Sequence, residues 1–436
     1  MYTNKIDENI TADVLVIGGG PAGMLASASA SAAGSKVILL EKNGQLGRKM
    51  GISGGGRGNL TNTASIHNFI NNIPGNGKYL FSALNRFSNM DFLELLKTLG
   101  VPTKEEEYGR VFPAQFRATE VVRILKDFLE ASGVKLYYQV SADKLLLDSR
   151  QCKGVRTAEG NILHSQAVVI ATGGASYPHT GSTGDGYRLA RQAGHQITSL
   201  LPGLVPLCCA GSITKQLQGL SINNVGLKLT TAEGKAIANE QGDIVFTHFG
   251  ISGPAALKLS RIVSKNIAAG AGNLSLQLDV IPKLSKDQLT GKLLNLAGQQ
   301  PKKAIANIIK QLLPDRLATV CMQMLPADYN AKSGTASKSF WRKIARLTKN
   351  VPFTITGTRP LTEAMITVGG VNIKEIDPHT MASRLVDGLY FAGEVIDVDA
   401  YTGGYNMQIA FSTGWLAGLS AVKKIQFTIH SKKMSL

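Results

Sequence analysis

Four cysteines in 436 residues (Cys152, Cys208, Cys209 and Cys321) leave little scope for thiol chemistry. None falls in a metal-ligand spacing, and the vicinal Cys208-Cys209 pair is not a CxxC redox motif. They read as small buried apolar side chains in a reduced compartment, with no metal site. Long apolar runs are missing too. No stretch approaches the roughly 18 residues needed to span a bilayer, and the segment from Met1 to Ala12 is polar, so neither export nor membrane anchoring is expected and the cytoplasm is the expected location. Acid is also scarce: 30 Asp and Glu face 47 Lys and Arg, a formal charge of +17 with a pI near 9.6. That balance is unusual for a chain whose only partner is a small anion. There is no internal repeat and no low-complexity segment.

Glycine, by contrast, is abundant and placed. Gly18-Gly19-Gly20-Pro21-Ala22-Gly23 follows the apolar run Val14-Leu15-Val16-Ile17 and opens a small-residue helical stretch from Met24 to Ala33. This is the strand, tight turn and helix of a dinucleotide-binding unit: Gly18 allows the turn, Gly20 lets a pyrophosphate approach the backbone, and Gly23 lets the helix lie on the sheet. A second strand, Lys36 to Leu40, ends at Glu41, where a carboxylate can accept from ribose hydroxyls and would repel a 2′-phosphate. FAD and NAD both satisfy these residues. The segment Gly44 to Asn59, with Arg48, Lys49, Ser53 and Arg57 among its glycines, is too glycine-rich for regular structure and suits an anion-wrapping loop. Near the end of the chain, Gly393-Glu394 and Gly403-Gly404-Tyr405-Asn406 form another glycine turn before a helix.

Several longer stretches resemble one bacterial flavoprotein family, that of NAD(P)/FAD-dependent, aminoacetone-oxidase-like oxidoreductases. They are Gly47 to Asn62, Ala171 to Pro178 with Thr180 to Gly186, Phe246 to Pro254, Thr356 to Pro360, Thr367 to Val371 and Leu389 to Asn406. The family includes a bile-acid reductase and a ribosomal RNA dihydrouridine synthase, and the resemblance spans nearly the whole chain. One departure is visible: the family usually has Cys where this chain has Gly58, so a role for that thiol does not carry over.

The resemblance implies a tightly bound FAD. Gly18, Gly20, Ala22 and Gly23 would line its pyrophosphate, Glu41 its ribose, and Arg48, Lys49, Ser53 and Arg57 the phosphate and flavin side. Val140, at the end of a strand from Val134, would hold adenine through its backbone, and Thr172-Gly173, ending the strand Ala167 to Ala171, would turn the chain away from the cofactor. Glu394, with Asp397 sharing the role, would hold the ribityl chain. Gly404, Tyr405 and Asn406 would start a helix whose positive end faces the flavin pyrimidine ring. Disulfide reductases with two dinucleotide sites carry a second GxGxxG and a CxxC, and this chain has neither; the electron supply stays open, with direct reduction of the flavin by a transient visit of NAD(P)H as one route. His248 is the first candidate for a proton donor, followed by Tyr405 and His179, with a structural, hydrogen-bonded histidine as the alternative reading of His248.

The fold class expected is α/β: a Rossmann-like FAD-binding domain over 1–195 and 356–425, a β-rich insertion over 196–282 and 350–355, a basic helical insertion over 283–349, and a frayed tail over 426–436. From Pro301 to Asn350 ten Lys and Arg stand against two Asp, with Tyr329, Phe340 and Trp341 interleaved. Cations with aromatics suit a polyanion such as ribosomal RNA, the aromatics stacking unpaired bases, whereas a solvated basic face around core aromatics is the plainer alternative. Three functions compete: an FAD-dependent reductase of a ribosomal RNA uridine, an FAD-dependent reductase or oxidase of a small enone or amino ketone, and a flavin-bearing RNA-binding or redox-sensing protein without turnover. The oligomeric state is open.

Overall fold

The computed structural model describes residues 10–434, the side chains as far as 427. The chain divides into two compact units, one holding the residues through Leu201 and those from Met365 onward, the other Pro202–Ala364.

The first unit is built on a seven-stranded sheet. Its parallel core runs in the order Lys135–Tyr138, Val37–Glu41, Ile10–Ile17, Ile162–Ile170, with Leu389–Phe391 also parallel against the last of these. The register sets Val14 opposite Val37 and Ala167, and Ile17 opposite Leu40 and Ile170. Such strands are covered on both faces, which explains why they read as unbroken apolar runs rather than alternating ones: Val14, Leu15 and Val16 have no exposed surface. An antiparallel hairpin, Ala142–Asp148 with Gln151–Thr157, extends the sheet.

The first helix, Pro21–Ala32, has no side-chain cap, and Pro21 starts it with a preset φ. It is too small-sided to be amphipathic because it is buried on both sides. The sheet lies on one side and the C-terminal helix, Tyr405–Met434, on the other. The two helices meet through glycine: a Cβ at Gly414 would come within 2.1 Å of the Ala22 carbonyl oxygen, and one at Gly418 within 2.1 Å of that of Ala26. The stretch expected to fray thus continues the last helix to Met434, while Ser435 and Leu436, like residues 1–9, lie outside the described residues.

The second unit holds a closed six-stranded barrel in the order Leu207–Cys209, Gly250–Ser252, Ala236–Phe246, Ser221–Thr230, Leu274–Asp279, Val351–Thr358. Helix Pro254–Ala268 packs on it through Ala256, Leu259 and Val263. Helices Lys286–Gln299, Ile305–Ile309, Asp315–Met324 and Lys338–Lys349 follow. Barrel and helices share one core: Leu227 and Leu276 from the strands, Leu289, Leu317, Trp341 and Ile344 from the helices. The two insertions expected separately therefore form one unit. Its end falls at Ala364 rather than near 355, because the last barrel strand stays hydrogen-bonded through Thr358.

Candidate functional site

The glycine turn behaves as its spacing requires. Gly18 has φ +102°, and a Cβ there would come within 2.6 Å of the Ala171 carbonyl oxygen; one at Gly23 would sit 1.8 Å from that of Gly18. Both glycines are thus demanded by the protein's own packing. Gly20 is different: a Cβ there would meet no protein atom within 4 Å. The space before the helix N-terminus is thus open here, at the position where a dinucleotide pyrophosphate needs backbone N-H groups and a positive dipole end. That observation makes the turn a fit for FAD.

Glu41, buried at the end of its strand, does more than wait for a ribose. One carboxylate oxygen accepts from the Gly19 N-H at 2.8 Å, and the other from the backbone and side-chain amides of Asn43 at 2.8 and 2.6 Å. A carboxylate offers about four acceptor positions, so one remains on the Gly19 side for a hydroxyl. Arg48 in turn donates to the Asn43 side chain at 2.8 Å. The segment expected to be irregular contains a short helix, Arg48–Gly51, and a 3-10 turn, Ser53–Gly56, because Gly47, Gly54 and Gly55 take left-handed conformations that let tight turns follow one another. Ser53 donates to the Met50 carbonyl at 2.8 Å and so ties the turn to the short helix before it. Gly58 has φ +82°, and a Cβ there would press on Ala118 at 3.1 Å, so any side chain at this position would be strained in this chain.

The same unit gathers a second polar cluster from four distant segments. The Lys49 ammonium donates to Ser176 at 2.7 Å and to Glu394 at 2.8 Å. The other Glu394 oxygen accepts from the Thr367 backbone N-H at 2.7 Å and from the Ser176 hydroxyl at 3.0 Å. Thr367 closes the ring by accepting from the Ala175 N-H at 2.9 Å. Lys49 and Glu394 were expected near the flavin separately; the structure pairs them, and Ser176 and Thr367 join as partners that no spacing in the sequence reveals. Thr172, at the end of its strand, lies over Gly186, where a Cβ would come within 2.1 Å of the threonine hydroxyl. The next residue, Gly173, turns the chain with φ +73°.

The other residues expected at the cofactor also make contacts within the protein. Arg57 lies across the Phe112 ring at 4.2 Å and pairs with Glu106 at 3.0 Å, and the Arg57 guanidinium holds the Glu106 carboxyl below its ordinary value. Val140 stands beyond its strand, which stops at Tyr138 because Gln139 is left-handed (φ 59°), and the Val140 N-H is taken by the Glu41 carbonyl at 3.1 Å. The Asn406 side chain bonds the backbone of Ala400 in both directions, at 2.9 and 2.8 Å, and so ties down the turn before the last helix. A Cβ at Gly404 would come within 2.2 Å of the Thr61 carbonyl oxygen, which seats that turn on strand Thr61–Asn62. Tyr405 packs edge-on against Phe69 at 4.9 Å, and burial raises its phenol, leaving it a neutral donor. The backbone carbonyl of Asp397 accepts from Asn76 at 2.7 Å.

His179 is exposed beside Tyr177, at a ring distance of 5.3 Å. His248 belongs to the second unit, where it is exposed in the turn between two barrel strands. Its ring stands edge-on to Phe249 at 4.9 Å, and the Arg359 guanidinium covers Phe249 at 4.7 Å while pairing with Glu363. Sequence reasoning passed over Arg359. Burial raises the thiol of Cys208 and pushes that of Cys209 up to about 12, so neither half-buried thiol gains thiolate character at neutral pH. The most enclosed histidine among the described residues, His195, was also passed over: its ring sits between Glu375 at 3.1 Å and Ser383 at 2.8 Å. Among the described residues no cluster of His, Cys, Asp and Glu could hold a metal, and no helix is long and apolar enough to cross a membrane.

Among solved structures, the chain superposes on a 3-ketosteroid-Δ4-(5α)-dehydrogenase from Rhodococcus jostii with a TM-score of 0.53 at 16% identity, covering 97% of this chain and 99% of that one, a likeness of fold. A 3-dehydro-bile acid Δ(4,6)-reductase of Clostridium scindens is 29% identical over 94% of this chain and 98% of its own length. Ribosomal RNA dihydrouridine synthases of Haemophilus influenzae and Escherichia coli are 30% and 31% identical, over 93% and 92% of this chain and 97% and 96% of theirs. The model of the HI0933-like protein Rossmann domain matches residues 12–420, and the chain accordingly belongs to the HI0933-like family of Rossmann-fold flavoproteins, a family of FAD-dependent oxidoreductases.

Proposed function

We propose that this protein holds FAD on its first unit and reduces a uridine of large-subunit ribosomal RNA to dihydrouridine. The observation that carries this reading is the end-to-end similarity to two ribosomal RNA dihydrouridine synthases, supported by the cation surplus of the second unit. Bound FAD supplies hydride transfer, here to C6 of the uracil, with C5 taking a proton. The chain's residues do the rest. The helix N-terminus at Gly20 and Ala22 holds pyrophosphate, and Glu41 accepts from a ribose hydroxyl while fixing the turn. The Lys49-Glu394 pair sets a charged, hydrogen-bonded wall. Tyr405, on the same unit, supplies the proton. NAD(P)H would supply the electrons to the bound flavin.

The test is mass spectrometry of large-subunit RNA from a deletion strain. One dihydrouridine should vanish, and purified enzyme with a reductant should restore it, while Tyr405→Phe should slow restoration. The bile-acid reductase relative favours a second reading, reduction of a small enone. Unchanged dihydrouridine in the deletion strain, with rapid flavin reoxidation by a steroid enone, would decide for it.

A further inference from the structure

We propose that the second unit binds the phosphate backbone of folded, double-stranded RNA through a strip of cations running from the corner at residues 300–304 and 332–336 along helix Lys338–Lys349, and that it does so without stacking bases. The proposal rests on the RNA reading above and specifies its docking surface.

The strip is built by the fold. The Ser333 N-H donates to the Lys303 carbonyl at 2.7 Å, the Gly334 N-H to that of Pro301 at 3.1 Å, and the buried Ser333 hydroxyl to that of Gln300 at 2.8 Å. These bonds stitch two loops together and place Lys302, Lys303 and Lys332 at one corner, all exposed. Ser337 then caps the helix, accepting from the Phe340 N-H at 3.1 Å. Along the helix Trp341, Ile344, Ala345 and Thr348 are buried. Lys338, Arg342 and Arg346 therefore repeat every fourth residue on the outer face, about 6 Å apart, with exposed Lys343 beside them. Two other cations of the region are structural: Lys349 pairs with Asp279, and Arg316 donates to the carbonyls of Gln216 and Gln218.

The aromatics decide which form of RNA fits. Trp341 is buried, and Tyr329 and Phe340 pack into the same cluster, with ring distances of 6.1 Å between them and 5.4 Å from Phe340 to Trp341. Among the described residues, none of the large exposed apolar side chains lies between 202 and 364. Proteins that hold unpaired strands put aromatics on the binding surface for bases to stack on. A face with cations on a rigid helix and no exposed ring offers contacts to phosphates alone, and a duplex presents phosphates in fixed order.

Fluorescence anisotropy with the full-length protein and two probes, a 20-base-pair RNA duplex of arbitrary sequence and one of its strands alone, tests this across a salt series. The duplex should bind more tightly than the single strand. The variant Lys338→Gln/Arg342→Gln/Lys343→Gln/Arg346→Gln should lower the slope of log K against log salt by about 3 to 4, since each lost phosphate contact removes nearly one unit. A control losing equal charge from the first unit, Lys78→Gln/Lys97→Gln/Lys135→Gln/Lys144→Gln, should leave the slope within about 1. Equal losses in the two variants, preference for the single strand, or binding to phosphatidylserine vesicles with none to RNA would each overturn the proposal. Failure here is separable from failure of the enzymatic reading. Duplex binding through this face with dihydrouridine unchanged in the deletion strain would refute the modification and leave the surface. A four-fold variant that restores dihydrouridine as fully as the wild type and keeps its salt slope would refute the surface and leave the modification.

Discussion

The two charged regions of this protein are built in opposite ways. Around the glycine turn and the Lys49-Glu394 pair, every named charge is engaged: Glu41 by Gly19 and Asn43, Glu394 by Lys49, Ser176 and Thr367, Arg57 by Glu106. Along helix Lys338–Lys349 the cations stand outward in water, and among the described residues only Lys349, at its end, is tied down, to Asp279. Groups that must present one geometry to a cofactor are held by partners beforehand. Groups that meet a polyanion need only potential and reach, and flexible exposed side chains suffice.

The largest effects should come from the glycine turn, where structure and ligand demands separate by residue. Gly23→Val would drive a side chain into the Gly18 carbonyl, 1.8 Å from where its Cβ must lie, and should cost more than about 3 kcal/mol or prevent folding. Glu41→Ala strands the Gly19 N-H and loses a ribose partner. It should lower stability by about 1–3 kcal/mol and weaken FAD retention as well. Gly20→Val should do something else: thermal unfolding of the FAD-free protein within about 1 kcal/mol of wild type, and no flavin absorbance after incubation with FAD. A Gly20→Val protein that stays yellow would remove the pyrophosphate from this turn.

This separation also marks what the sequence could reveal. Strand, turn, helix and the acid at Glu41 were legible because each rests on local rules of sterics and spacing. The Lys49-Ser176-Thr367-Glu394 cluster was legible only in part, since its members lie far apart and meet through the packing of four segments. The anchoring of the last helix through Gly414 and Gly418 was missed for the same reason: nothing local distinguishes those glycines from flexible ones. The basic helix was visible as composition, but which of its aromatics faced inward was not. The helical period of Trp341, Ile344, Ala345 and Thr348 settles that only once the packed face is known.

A smaller effect should appear at His195, an interlocked group away from the glycine turn. Burial lowers its folded-state pKa, although the Glu375 carboxylate opposes this. A histidine whose folded pKa lies below its unfolded value of about 6.5 contributes stability fully above that pH and loses it as acid is added, because the unfolded chain takes the proton first. The wild type should therefore lose stability as pH falls below about 6.5, measured by urea unfolding. His195→Gln should show a flatter profile over the same range. A profile as steep as the wild type's would place the acid sensitivity elsewhere.

The smallest effect should be on the stability of the basic face itself, and its smallness is the informative part. Lys349 donates to the Ile281 carbonyl at 3.0 Å as well as pairing with Asp279, and it closes the end of the helix onto the barrel. Lys349→Met leaves both partners without their cation and should cost about 1 kcal/mol, the pair being only partly enclosed. Arg342→Gln/Lys343→Gln/Arg346→Gln removes three exposed charges from the same helix and should change stability by less than about 0.5 kcal/mol. Relief of like-charge repulsion could even raise it slightly. Urea midpoints of the two proteins, read with unchanged m values, make the comparison. If the triple variant proved the less stable of the two, the outer cations would be structural, and the contrast between held and presented charge would fail in the place where it matters most.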